Sequence, residues 1–270
     1  MLPKLEHMAA PSIPFWGLLI AFAVLFLTGG SSRGDEQSLA ILNPAMIICC
    51  CAALLTLRRE HWRERKWLLA IVGLVFILVL LYVVPTPTHL EDYSQGLSNA
   101  ADIRVVANVS GSPQTLAIVQ QAALQSLFFL FAPLAVILFA VQLERDDLRL
   151  ALPLIIILGG ISGIVGVLQL AGGASGPLYL YDTTNNGSAV GLFANRNHAA
   201  VFLACLFPML AIFAAGSHGT PREGRNTRQL AATAIVIVLV PLILVTGSRS
   251  GMLAAIIGLM GGVLLYISSG

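Results

Sequence analysis

Apolar runs long enough to cross a lipid bilayer follow one another along this chain, and its charged residues are confined to the gaps between them. A soluble protein of this length needs a polar face on each surface helix, and such runs leave none. Charged residues make up 10% of the chain, against about 25% in an average soluble domain. The sequence therefore predicts an all-α, polytopic transmembrane helical bundle whose outer surface contacts membrane lipid.

We predict about eight spans in a single transmembrane domain of residues 1–270, each long enough or nearly long enough for a hydrocarbon core of about 30 Å. Their approximate bounds are 13–30, 39–57, 67–84, 120–142, 150–171, 193–215, 230–246 and 251–268. The first span also has features of a secretory signal peptide, because Lys4 precedes it and small residues follow. With seven more spans behind it, we expect an uncleaved anchor.

Lysine and arginine in short loops predict the orientation, because such loops stay on the cytoplasmic side. A cytoplasmic N-terminus places eleven of the 15 basic residues inside. They are Lys4, Arg58, Arg59, Arg63, Arg65, Lys66, Arg145, Arg149, Arg222, Arg225 and Arg228. The two long loops, 85–116 and 172–192, then lie on the outer side.

Charge and cysteine usage exclude several other classes of protein. A net charge of +2, with no cluster of aromatic and basic residues, does not indicate a nucleic-acid partner. All four cysteines lie inside apolar runs, where Cys usually behaves as a small hydrophobe. The Cys49-Cys50-Cys51 triplet has no accompanying His or second Cys pair, so we predict neither a metal site nor a cofactor.

Arg196 and Arg249 differ from the other basic residues because each lies on the outer side, where a polar turn meets an apolar run. An Arg at bilayer depth costs about 2.5–3.5 kcal/mol on insertion scales, so such residues usually have a partner. Both are predicted to stand where a helix begins, beside its free N–H groups and the positive end of its dipole. If the two turns converge, they form an anion pocket sized for a diphosphate.

The flanking residues fit the same chemistry. Asn195, Asn197, Ser248 and Ser250 are candidate helix caps and additional donors to phosphate oxygens. Arginine suits this role better than lysine because its planar fork donates two parallel hydrogen bonds.

Simpler interpretations stay open for these residues. Either arginine alone can extend to lipid phosphates without further function. For His198 the options are a proton carrier, a substrate contact or an interfacial ring, and we favour the last. No residue of the sequence is assigned a catalytic role.

Two motifs around these arginines resemble the O-antigen ligase and polymerase family of bacterial envelope proteins. They are Gly-x-Phe-x-Asn-Arg-Asn-x-x-Ala at residues 191–200, followed by Pro208, and Thr-Gly-Ser-Arg-Ser at residues 246–250. The Ser, Pro and Thr segment at residues 109–116 is also similar to that family. The resemblance covers about the second half of the chain.

The resemblance implies a metal-independent glycosyltransferase of the bacterial cytoplasmic (inner) membrane, with roles in lipopolysaccharide or exopolysaccharide biosynthesis. Such enzymes take a glycan from a polyprenyl diphosphate carrier on the periplasmic face and transfer it to a lipid, glycan or protein acceptor. By analogy, Arg196 and Arg249 would hold the diphosphate leaving group.

The chain also departs from the family pattern. Family members have about a dozen spans and a late periplasmic loop with a His that activates the acceptor, whereas this sequence stops at Gly270. We therefore expect a truncated form that can bind donor and lacks part of the catalytic apparatus.

The alternatives are a non-catalytic transporter, a lipid-binding membrane protein and a scaffold subunit of an envelope complex. A transporter predicts polar or charged residues near mid-bilayer, but the spans contain few such residues, among them Asn43, Ser162 and Gln169, and no clear buried charge. The absence of a clear buried charge in the spans favours the glycan transferase over the transporter.

Overall fold

The computed structural model describes residues 10–30, 35–85, 99, 102, 103, 106, 115–117, 119–216 and 222–268. The structure gives the bounds of ten helices in these residues, and residues 99, 102, 103 and 106 are helical as well. The ten helices are α1 (Ile13–Leu27), α2 (Glu36–Thr56), α3 (Arg59–Glu64), α4 (Lys66–Val83), α5 (Gln120–Phe129), α6 (Phe131–Ala140), α7 (Arg145–Ala171), α8 (Arg196–Ala215), α9 (Arg222–Val245) and α10 (Arg249–Ser268).

Seven helical segments among the described residues are long and apolar enough to cross a bilayer. They are α2, α4, α5 with α6, α7, α8, residues 224–245 of α9, and α10. Each satisfies its own backbone polar groups, as hydrocarbon requires. The predicted all-α polytopic bundle is confirmed, and the chain is a multi-pass membrane protein in contact with lipid.

Two predicted spans differ from the helices found. The first helix has 15 residues, or about 22 Å, because the chain turns through Gly29 and Gly30, both at φ +65°. The predicted span 120–142 is interrupted at Leu130. Pro133 lies in the first turn of α6, and since a proline ring has no N–H to donate, it favours a helix start there.

The helices α7 and α9 begin earlier than predicted, at Arg145 and Arg222, because charged turns extend them beyond the apolar run. Most of the predicted loop 85–116, including nearly all of the 109–116 motif, lies outside the described residues.

The chain divides into two compact units, with a boundary inside α2. The smaller unit is Met46–Gln142. In it, the rings of Phe76 and Phe131 meet edge to face at 5.5 Å. The buried Gln142 side chain donates to the carbonyl of Ala53 at 2.9 Å.

The larger unit comprises Met1–Ala45 and Leu143–Gly270. Its buried core is formed by residues of α7, α8 and α9, with α10 packed along α8. The start of α1 is joined to the start of α7 by Asp147, which accepts hydrogen bonds from the backbone and hydroxyl of Ser12 at 3.1 and 2.6 Å. All the predicted site residues belong to this unit.

Candidate functional site

Helices α8 and α10 contact each other through their backbones, because glycine takes the facing positions of α10. A Cβ at Gly251 would lie closer than 3.0 Å to the Cβ of Ala200. One at Gly258 would lie 2.6 Å from the carbonyl oxygen of Ala204. Small residues that bring backbones together are a common means of helix association in membranes. This packing brings the beginning of α10 against the beginning of α8.

Each of the two helices starts at its arginine and is capped by the residue before it. The side chain of Asn195 accepts from the N–H of Asn197 at 2.8 Å. The hydroxyl of Ser248 accepts from the N–H of Gly251 at 2.9 Å. Asparagine and serine are among the preferred N-caps. The local geometry inferred from the sequence for Arg196 and Arg249 is therefore present in the structure.

The N-terminal ends of α8 and α10 are joined directly by side chains. The Ser248 hydroxyl donates to Oδ1 of Asn197 at 2.8 Å. The Nη1 atom of Arg196 lies 3.5 Å from the position that a Cβ would take on Gly247, which is at φ +64°. Because successive Cα atoms are about 3.8 Å apart, the Cα of Arg249 is within about 13 Å of that nitrogen. The two arginine-bearing turns converge at one place.

Several donors at this place are already engaged within the protein. The single proton of Ser248 is directed to Asn197, so Ser250, whose Oγ is 3.1 Å from that of Ser248, donates to Ser248. The N–H of Arg196 is bound by the Asn185 side chain at 3.0 Å. The two serines and Asn195 therefore shape the turns.

Other donors have no acceptor among the described residues. These are the first two N–H groups of α10, at Arg249 and Ser250, and the N–H of His198 on α8. Among the described acidic side chains, none lies within ion-pair distance of Arg196 or Arg249. Arg249 and Asn197 are exposed, and Arg196 is partly exposed. Two accessible cationic side chains and the open end of a helix dipole thus belong to one pair of joined turns, an arrangement suited to an anion.

The end of the loop before α8, residues 189–194, packs into the bundle, whereas most of residues 172–187 are exposed. The Gln169 side chain, 1% exposed, donates to the carbonyls of Leu178 and Gly191 and accepts from the N–H groups of Val190 and Gly191. The Ser162 hydroxyl accepts from the N–H of Leu192 at 3.1 Å. Ser162 lies nine residues before the end of α7, so this segment reaches about 13 Å along that helix.

Non-helical backbone at such depth is tolerated where protein covers it, and Ala189, Val190 and Ala194 are all buried. The turn after α1 holds the other side of the segment, since the N–H of Ala194 donates to the carbonyl of Gly29 at 2.8 Å. The single hydroxyl proton of Tyr181 is shared between the carbonyls of Phe26 and Leu192. Its burial raises the pKa of Tyr181. The start of α8 is therefore supported from two sides.

His198 is exposed and lies beside the turn after α1, with Nδ1 3.6 Å from the position of a Cβ on Gly30. It has no hydrogen-bonded partner among the described side chains, and its role stays a prediction. Within the same residues, no group of three His, Cys, Asp or Glu side chains is placed to hold a metal ion.

The sequence did not identify three residues that build this site. Asn185 holds the N–H of Arg196, Gly247 forms the turn beside its guanidinium at φ +64°, and Gln169 anchors the loop. The only signal for Asn185 was its place in a polar loop, and Gln169 appeared as an isolated polar residue in a span. No protein-family model, no curated protein and no solved structure matches the chain.

Proposed function

We propose that this chain binds the diphosphate of a polyprenyl diphosphate-linked glycan between Arg196 and Arg249. It would do so on the outer face of the bacterial cytoplasmic membrane, as the donor-binding site of a glycosyltransferase of the O-antigen ligase type. The observation that carries the proposal is the hydrogen bond from Ser248 to Asn197, because it joins the two arginine-bearing helix starts. Two separate snorkelling arginines would need no such contact.

The chemistry of glycan transfer explains the need for two cations. The bond between the sugar's anomeric carbon and the diphosphate breaks, and a new bond forms to an acceptor hydroxyl that loses its proton. Negative charge grows on the departing diphosphate, and prearranged positive groups that meet growing charge usually provide the largest part of catalysis. Arg196, Arg249 and the free N–H groups of α10 would supply that positive charge. No base for the acceptor proton is assigned to this chain.

The polar residues inside α7 support a transferase over a transporter. A transport pathway needs polar side chains that face a cavity near mid-bilayer. Here the side chains of Ser162 and Gln169 are engaged with the backbone of the loop before α8. They stabilise the candidate site, and so they do not mark a separate route through the membrane.

Binding of a polyprenyl diphosphate to the purified chain in lipid nanodiscs tests the proposal, with the matching monophosphate for comparison. Each lost charge-assisted hydrogen bond is worth about 1.5–3 kcal/mol, so R196A and R249A should each weaken diphosphate binding by about 10–100-fold. R249K should also bind more weakly, because an ammonium group has no planar fork. R149A is the matched control, since Arg149 pairs with Asp146 at the start of α7.

Undiminished binding in R249A, or equal affinity for diphosphate and monophosphate, would overturn the proposal. Equal affinity is the result expected of arginines that contact lipid phosphates only. In a longer relative that carries the late periplasmic loop, replacing the arginine that corresponds to Arg249 with alanine should abolish glycan transfer. Transfer at the wild-type rate would remove that arginine from the mechanism.

A further inference from the structure

An apolar cavity of about 480 Å³ lies between α8, α9 and α10. Its walls include Phe207, Leu210, Ala214, Ala232, Val236 and Val263. On α8 the cavity begins eleven residues after Arg196, about 16 Å along the axis. It therefore occupies the opposite end of these helices from the two arginines of the candidate anion site.

One end of this cavity has a polar rim. The Gln229 side chain, which lines the cavity, donates to the hydroxyl of Tyr266 at 2.6 Å. Arg225 is one helical turn before Gln229 on the same face of α9, and its side chain is exposed. The guanidinium of Arg228 lies 5.6 Å from the ring centroid of Phe213 on α8.

The face of α9 that borders the cavity thus changes from basic to apolar along its length. Arg225 and Gln229 are followed at helical spacing by Ala232, Thr233 and Val236. Among the described acidic side chains, none pairs with Arg225 or Arg228. A ligand that matches this face has an anionic group at one end and a long apolar chain at the other.

We propose that this groove binds an acidic glycerophospholipid, with one acyl chain in the cavity and the headgroup phosphate at Arg225 and Arg228. Basic residues beside membrane helices attract anionic lipids near the membrane surface. Aliphatic walls accommodate the chain, and Gln229 and Tyr266 meet the ester region between chain and phosphate. With the orientation predicted from the basic residues, the lipid belongs to the cytoplasmic leaflet. This site is independent of the proposed glycan donor site.

Native mass spectrometry of the detergent-solubilised chain tests this proposal, with phosphatidylglycerol and phosphatidylcholine of identical acyl chains added separately. We expect one phosphatidylglycerol molecule to be retained at least fivefold better than phosphatidylcholine. R225A/R228A should remove that preference, whereas R58A/R59A, a basic pair outside the groove, should keep it. T233F should reduce retention of both lipids, because Thr233 lines the cavity and is exposed.

Ala231→Phe is the matched control for T233F, since Ala231 is exposed on α9 and does not line the cavity. Equal retention of the two lipids by the wild type would overturn the headgroup assignment. Unchanged retention in T233F would show that the chain does not lie in the cavity. A dimer that T233F dissociates would make a second copy of this chain the occupant, and would refute the lipid site.

Discussion

Replacing Gly251 with alanine should separate the two arginine-bearing helix starts. The new methyl group would lie closer than 3.0 Å to the Cβ of Ala200 and 3.1 Å from the hydroxyl of Ser248, the cap of α10. Carbon atoms pack best at about 3.5–4.0 Å, so α8 and α10 must separate by more than about 1 Å. Overpacking of this kind costs about 1–3 kcal/mol, and the better helix propensity of alanine returns at most about 1 kcal/mol.

Thermal unfolding in detergent and binding of the polyprenyl diphosphate measure the two consequences of G251A. If alanine returns its full helix propensity, we expect a net loss of stability of about 0–2 kcal/mol, from the difference between overpacking and propensity. Binding should fall more steeply, because a displacement of about 1 Å at a site can reduce function by about 100-fold. G261A is the control, since a Cβ at Gly261 meets nothing within 4 Å.

A second substitution checks that the clash itself is responsible. Ala200→Gly removes the methyl group that the new Cβ would meet. The double variant G251A/A200G should therefore recover much of the lost binding, which is the non-additivity expected of residues in contact. If G251A behaves like G261A, or if A200G gives no recovery, the close packing of α8 and α10 does not position the arginines.

Three further predictions concern the segments that hold the site. Q169L should destabilise the chain by about 3 kcal/mol or more, because at least two buried backbone groups at residues 190–191 lose their partner. Limited proteolysis of loop 172–192 would detect the loss, and a wild-type digestion pattern would contradict the prediction. Y181F should cost about 1–2 kcal/mol by loss of the hydroxyl's hydrogen bonds. Since the pKa of Tyr181 is raised, this contribution is present below about pH 10 and is lost as pH rises through the folded-state pKa. We therefore expect the unfolding midpoints of the wild type and Y181F to converge at high pH. D147N should weaken the attachment of α1 to α7 by about 1.5–3 kcal/mol. Proteolytic cleavage before α1 should then be faster than in the wild type, and an equal cleavage rate would show that the charge of Asp147 is unimportant.

The spans and the helix starts at the arginines followed from the sequence because both depend on local composition. Hydrocarbon leaves the backbone only internal partners, so each long apolar run becomes a helix. Capping likewise involves neighbours two or three residues apart, as at Asn195 and Ser248. The break at Leu130 and the early end of α1 were missed, since hydropathy does not register a proline in a first turn or a pair of glycines with positive φ.

The role of Asn197 shows what a local pattern omits. The sequence predicted a donor to phosphate at this position, which stays a prediction because the Nδ2 group keeps its two protons. The structure adds a second role, since Oδ1 of Asn197 accepts the proton of Ser248, 51 residues further along the chain. That pairing changes which donors remain open, because it engages the hydroxyls of Ser248 and Ser250 and leaves the N–H groups of α10.

The sequence by itself determined a multi-pass helical membrane protein and two arginines at helix starts, because hydropathy and capping act over a few residues. Only the tertiary structure decided that these starts meet, since the meeting depends on glycines of α10 packing against the backbone of α8. It also placed loop residues 189–194 inside the bundle, held by Gln169 and Ser162. Contacts between distant segments depend on the shapes of both surfaces, which no single stretch of sequence contains.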